Sequence, residues 1–185
     1  MVVRMKHKMA AAFAVAIVVF VAVHFVSFPG SVPDFRRASG GGTLLDMTPE
    51  FSEDALYARL TGYGAAGRSN YAFRTVTVDV VLPLALLPFL FLWMRSALNR
   101  LSLGARPRAL LLAIPVLYVV FDLVENGSLL ALLGNFPVRM HLLSAVLPYL
   151  TIIKRTASML AILGPLMIVA FVLIRTQWTR RHVAA

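Results

Sequence analysis

Asp122, Glu125 and Asn126 place two carboxylates and an amide in the otherwise apolar stretch Tyr118-Val-Val-Phe-Asp122-Leu-Val-Glu125-Asn126. A spacing of i, i+3 and i+4 puts all three on one face of a helix. Such groups can pair with a cation, hydrogen-bond a polar ligand or, as Asp122 or Glu125, act as general acid or base. The surrounding run is long enough to cross a membrane, where an unpaired ionisable group costs ~3 kcal/mol or more. This cluster is therefore the first candidate site.

Other charges fall at matching depth when the apolar runs are laid side by side at ~1.5 Å per residue. Asp79 and Arg74 lie toward the outer end of one run, and Lys154 and Arg155 toward the outer end of another. Asp79, Asp122 and Glu125 thus meet Arg74, Lys154 and Arg155 in the outer half, three charges of each sign, and mutual pairing is expected. The expected pairs are Asp79 with Arg155 or Lys154, and Glu125 with the other. Three polar stripes (Arg68, Tyr71, Thr75 and Asp79; Tyr118, Asp122 and Glu125; Thr151, Lys154, Arg155 and Ser158) predict one shared interior, a polar pocket opening outward. His24 stands at comparable depth and is able to join it. Gly67-Arg68-x-x-Tyr71 reads either as a contact for a phosphate or carboxylate headgroup or as an anchor for the helix end. The candidate ligand-binding residues are therefore Arg68, Tyr71, Asp79, Asp122, Glu125, Asn126, Lys154 and Arg155.

The elements that must position these groups are transmembrane helices. Of 185 residues 59% are hydrophobic and 14% charged, with a mean hydropathy of +0.81. A soluble domain with that balance would expose large apolar patches. The expected architecture is all-α: one domain over 1–185, an integral membrane four-helix bundle with spans near 9–28, 71–94, 109–133 and 148–174. The first run, preceded by Arg4, Lys6 and Lys8, is longer than a signal-peptide core and lacks a small-x-small cleavage site, so it reads as an uncleaved span. Pro83 and Pro88 are expected to kink the second, which continues a helix beginning near Ala65. For the fourth, either a bent helix starts near Met140, or an interfacial segment precedes a span beginning near Thr156.

Residues 29–70 form the only substantial polar region, an expected extracytoplasmic subdomain. Ser31-Val-Pro33 and Ala38-Ser-Gly-Gly-Gly42 are turn and linker chemistry. Thr48-Pro49-Glu50 reads as the start of a short amphipathic helix, with Phe51, Ala55, Leu56 and Leu60 on one face and Gly62 and Gly64 at its end. It lies on the membrane surface or caps the bundle.

Charge gives orientation. Arg4, Lys6, Lys8, Arg95, Arg100, Arg106, Arg108, Arg175, Arg180 and Arg181 flank one side with no acid, whereas residues 29–70 hold five acids and four arginines. The positive-inside rule puts both termini in the cytoplasm of a multi-pass protein of the cell (inner) membrane. Leu45-Asp46-Met47, Gly64-x-x-Gly67-Arg68-x-x-Tyr71, Asp79-x-x-x-Pro83 and Phe121-Asp122-Leu-Val-Glu125-Asn126 resemble a pattern in uncharacterised bacterial four-helix membrane proteins, over roughly residues 44–160. The resemblance implies that fold and no activity.

The net charge of +10 arises from short clusters beside apolar runs, which is topology rather than a nucleic-acid face. The absence of cysteine excludes disulfides and thiol redox chemistry. His24 and His141 match no metal-site spacing, and neither metal nor cofactor is expected. Gly40-Gly-Gly42 is followed by no Gly-Lys-Ser/Thr. Gly62-x-Gly64-x-x-Gly67 has no strand before it, and no Gly-x-Ser-x-Gly occurs. The leading reading is a lipid- or small-ligand-binding or transport-accessory protein. Two others stay open: a membrane enzyme acting on lipids, and a structural subunit whose charges only fix packing. Expected partners are membrane lipids, a small amphipathic ligand, a second copy or another membrane protein.

Overall fold

The computed structural model describes the backbone of residues 2–183 and the side chains of residues 7–178. Its elements are α1 (Val2–Phe25), α2 (Val32–Ala38), α3 (Glu53–Gly62), α4 (Gly64–Val76), α5 (Val78–Leu98), α6 (Ala105–Asn135) and α7 (His141–Val183). No strand occurs among the described residues. Among the described residues four stretches are long and apolar enough to cross a membrane: His7–Phe25, Gly64–Leu98, Ala105–Asn135 and His141–Trp178. Arg4, Lys6, Arg180 and Arg181, used above for orientation, lie outside the described side chains.

The helix ends differ from expectation for local reasons. α1 stops at Phe25, where the backbone turns through Pro29 and Gly30 (φ +81°) and Phe28 N–H donates to Ser31 Oγ at 3.1 Å. The second long helix breaks at Thr77 (φ −116°, ψ −80°) and runs on through Pro83 and Pro88. There the Thr77 hydroxyl donates to the Phe73 carbonyl at 2.7 Å, competing with the backbone ladder. α7 is one helix from His141, so Lys154 and Arg155 lie well inside it and the span does not begin at Thr156.

The long helices do not form a closed four-helix bundle. α5, α6 and α7 pack on one another, while α1 lies against α5 and touches α2, with no comparable packing onto α6 or α7 among the described residues. Leu90, Tyr118, Val119 and Ala161 form the core of the three-helix unit. The exposed faces are apolar, as at Phe13, Val18, Val81, Val120, Leu123, Ile153, Leu163 and Phe171.

Above that unit sits a cap with its own core. Val32, Phe35, Leu44, Leu45, Leu56, Tyr57, Leu60, Tyr63 and Tyr71 pack with Leu129, Leu132, Leu133 and Leu147 from α6 and α7. Three tyrosines bind loop backbone from inside it. The Tyr71 hydroxyl accepts from Leu45 N–H at 3.0 Å, and Tyr63 donates to the Thr43 carbonyl at 2.5 Å. Tyr57 donates to the Val138 carbonyl at 3.1 Å and accepts from Met140 N–H at 2.7 Å. Burial pushes the Tyr63 phenol up to about 12, which keeps it a donor at physiological pH. Gly67 lets α4 touch the chain after α2, since a Cβ there would lie 2.9 Å from Ser39 Cα.

Two local readings change. Ser31 and Pro33 open α2 rather than a turn: Ser31 Oγ accepts from Asp34 N–H at 3.3 Å and Asp34 Oδ2 accepts from Gly30 N–H at 3.0 Å, a reciprocal cap. α3 begins at Glu53 with Ser52 as N-cap, not at Thr48. Arg59 takes the Thr48 carbonyl at 2.6 Å and Glu50 at 2.5 Å, holding that stretch as a loop and leaving Phe51 exposed. The buried face of α3 is Leu56, Tyr57 and Leu60.

The cap has a pH dependence. Asn70 (at 2.6 Å) and Gly30 N–H hold the Asp34 carboxyl below its ordinary value. A depressed folded value contributes stability above the unfolded value near ~3.9, lost as pH falls through the folded one. The melting-temperature gap between wild type and Asp34→Asn is therefore expected to stay constant down to about pH 5 and to shrink toward about pH 2. A gap independent of pH would remove Asp34 from the acid response.

Candidate functional site

The cluster forms where the cap meets the three-helix unit. α6 presents Asp122, Glu125 and Asn126 inward on one face, each less than a tenth exposed. Neighbours on the opposite face, Leu123 and Val124, are exposed and apolar. Lys154 stands thirteen residues into α7 (141 to 154), about 20 Å from its start. Glu125 is ten residues from the end of α6 (125 to 135), about 15 Å. These antiparallel positions bring the charges face to face.

Lys154 is the hub. Its Nζ contacts Glu125 Oε2 directly, Asp122 Oδ1 at 3.3 Å and Asp46 Oδ2 at 3.9 Å. Thr151, one turn earlier on α7, donates its hydroxyl to Glu125 Oε1. A second pair is separate: Arg74 Nη2 meets Asp79 Oδ1 at 2.7 Å and Nη1 donates to the Gly30 carbonyl at 2.9 Å. Asp79 therefore pairs with Arg74, not with Lys154 or Arg155 as expected from depth alone. Arg155, largely exposed, donates to the Asp46 carbonyl at 2.7 Å and to that of Met47, clasping the cap loop.

Asn126 joins α6 to α5. Pro83 has no N–H for the carbonyl one turn back, which is that of Asp79. Asn126 Nδ2 donates to this carbonyl at 3.3 Å and to Asp122 Oδ2 at 3.1 Å. The backbone group that a proline leaves over is thus taken up by the amide of the cluster.

These residues wall a cavity of about 150 Å³, lined by Asp46, Arg74, Asp79, Asp122, Asn126 and Lys154, with His24, Pro83, Tyr118, Arg155 and Ser158 around them. Glu125 lies behind Lys154 rather than on the wall. Arg74 Nε and Asp46 Oδ1 are buried and have no hydrogen-bond partner. Among the described residues no three His, Cys, Asp or Glu side chains are placed to hold a metal ion.

Of the eight expected ligand-binding residues, six come together: Asp79, Asp122, Glu125, Asn126, Lys154 and Arg155. Arg68 and Tyr71 do not join them. Arg68 donates to the Leu60 carbonyl at 2.9 Å and stacks over Phe136 at 4.0 Å. Tyr71 is fully buried in the cap core. The site also holds Asp46, which periodicity cannot find because it sits in a loop; its only signal was its place in the Leu45-Asp46-Met47 motif.

Fold and site together define a helical protein with four potential membrane spans, a cap over one end and an ion-paired cavity beneath the cap. No protein-family model, no curated protein and no solved structure matches the chain at a significant level.

Proposed function

We propose that the chain is a multi-pass membrane protein, cytoplasmic at both termini and capped on the outer side, whose cavity binds a small polar or amphipathic ligand. The observation that carries this reading is the wall itself. Arg74 and Asp46 both line about 150 Å³ of space, and each keeps a buried atom, Nε and Oδ1, that has no hydrogen-bond partner. Buried polar atoms of this kind are normally satisfied, so a polar occupant fits the space. That volume corresponds to about five liquid waters or one small headgroup. A lipid-processing enzyme is less well supported, because Asp122 and Glu125 both already hold Lys154.

Native mass spectrometry in mild detergent tests the proposal. Wild type is expected to carry a discrete adduct. Ser158→Leu, which fills the cavity without breaking an ion pair, is expected to lose it while melting no earlier. No adduct on wild type, with Ser158→Leu as stable or more so, would assign the charges to packing alone.

A further inference from the structure

The end of the molecule away from the cap carries charge of one sign. Lys8 lies within the first two turns of α1, Arg95 near the end of α5, and Arg100 in the turn that follows. Arg106 and Arg108 open α6 beside them. None of these five forms an ion pair with a described residue. All eight acids of the chain, from Asp34 to Glu125, belong to the cap or to the ion-paired cluster. Lys8, Arg95, Arg100 and Arg106 are exposed, so the charge that balances them comes from outside the chain.

A groove opens at the same end, between α1 and α5. Met9, Ala10 and Phe13 line it from α1, and Phe89 and Trp93 from α5, around a space of about 310 Å³. Each helix contributes a large apolar pair at i and i+4 (Met9 and Phe13, Phe89 and Trp93), which places the pair on one face. The rings run in a line, Phe13 on Phe89 with centroids 4.9 Å apart and Phe89 on Trp93 at 5.0 Å. No third helix lines the groove, and Phe13 is 47% exposed. Lys8 directly precedes Met9, and Arg95 follows Trp93 by two residues, about 3 Å along the axis. The basic rim therefore begins where the apolar groove ends. Trp93, apolar with one N–H donor, suits that boundary.

The occupant that fits is apolar along its length and negative at one end. A second copy lying side by side in the same bilayer would bring more positive charge to this end, and like charges oppose such a contact. A lipid with an anionic head meets both requirements. We infer that the groove seats an acyl chain of an anionic phospholipid from the leaflet opposite the cap, with the headgroup against the rim of Lys8, Arg95 and Arg100. This rests on the membrane reading above and is independent of the cavity.

The full chain is reconstituted in nanodiscs of equal parts phosphatidylglycerol and phosphatidylcholine, then released for native mass spectrometry. Wild type is expected to retain phosphatidylglycerol about tenfold over phosphatidylcholine at low salt, and to lose most of that preference at high salt. The salt response needs no variant. Ala10→Trp fills the groove without touching a charge and is expected to abolish retention. Lys8→Gln combined with Arg95→Gln is expected to bring the two lipids to parity. Ser158→Leu, in the cavity, is expected to change neither. Equal retention of both lipids by wild type, or of none, would overturn the inference and leave the cavity's adduct untouched. Wild-type retention by Ala10→Trp would place the lipid on the basic residues alone and remove the groove from the site. Displacement by free glycerol phosphate would do the same. A dimer that Ala10→Trp dissociates would put a second copy there instead. A chain that stays dispersed without detergent would overturn the membrane reading and the inference together.

Discussion

Lys154→Met is expected to cost about 3–5 kcal/mol, the largest loss from any single change in the cluster. Methionine keeps the length of the stem but removes the ammonium that Glu125, Asp122 and Asp46 share. Three carboxylates are then left crowded together. An exposed ion pair would be worth under about 1 kcal/mol, but the Lys154 and Glu125 side chains are only 11% and 3% exposed. Thermal melting in mild detergent reads the effect. Adding Glu125→Gln to Lys154→Met removes one uncompensated charge and is expected to recover a large part of the loss. A Lys154→Met protein that melts like wild type would show that the charges are hydrated and independent.

Arg74→Leu is the second large effect, about 3 kcal/mol or more, because it leaves Asp79 as an unpaired buried charge. Arg74 is 2% exposed and spends its two terminal nitrogens on Asp79 and on the Gly30 carbonyl. The double variant Arg74→Leu with Asp79→Leu is expected to regain most of the stability, since a buried pair replaced by apolar groups of similar volume is often neutral. What stays lost is the tie to Gly30, which fastens the α1–α2 turn. If the double variant is no better than the single one, Asp79 has a cation other than Arg74.

The number of long helices was legible in the sequence because each run exceeds the length a bilayer needs and is flanked by basic clusters or polar loops. The inward face of α6 was legible for a related reason: Asp122, Glu125 and Asn126 keep helical spacing amid apolar residues. The expectation of shared depth brought the right helices together and gave Glu125 one of its expected cations, Lys154, but assigned Asp79 the wrong partner. Depth is a coordinate along one axis, whereas the choice between Arg74 and Lys154 for Asp79 depends on rotation and on which helices touch. α4 and α5 are joined at a non-helical Thr77, so rotation counted through an unbroken helix goes astray there.

The cap was less legible. Its helices are short, its core is made by residues far apart in the chain, and its loop 39–52 is set by Arg59, Tyr63, Tyr71 and Arg155 rather than by local turn preference. Asp46 enters the site through that loop. The peripheral position of α1 was equally hidden, since an apolar run has the same pattern whether it lies in the centre of a bundle or on its side.

The clasp on residues 43–48 bears on how the molecule comes apart. Tyr63 and Tyr71 grip this loop from the cap, while Arg155 and Lys154 grip it from the third long helix of the packed unit. A cap that shares its central loop with the ion-paired cluster is not a module. It cannot be trimmed away, grafted elsewhere or melted first, and heat should take cap and helices together in one transition.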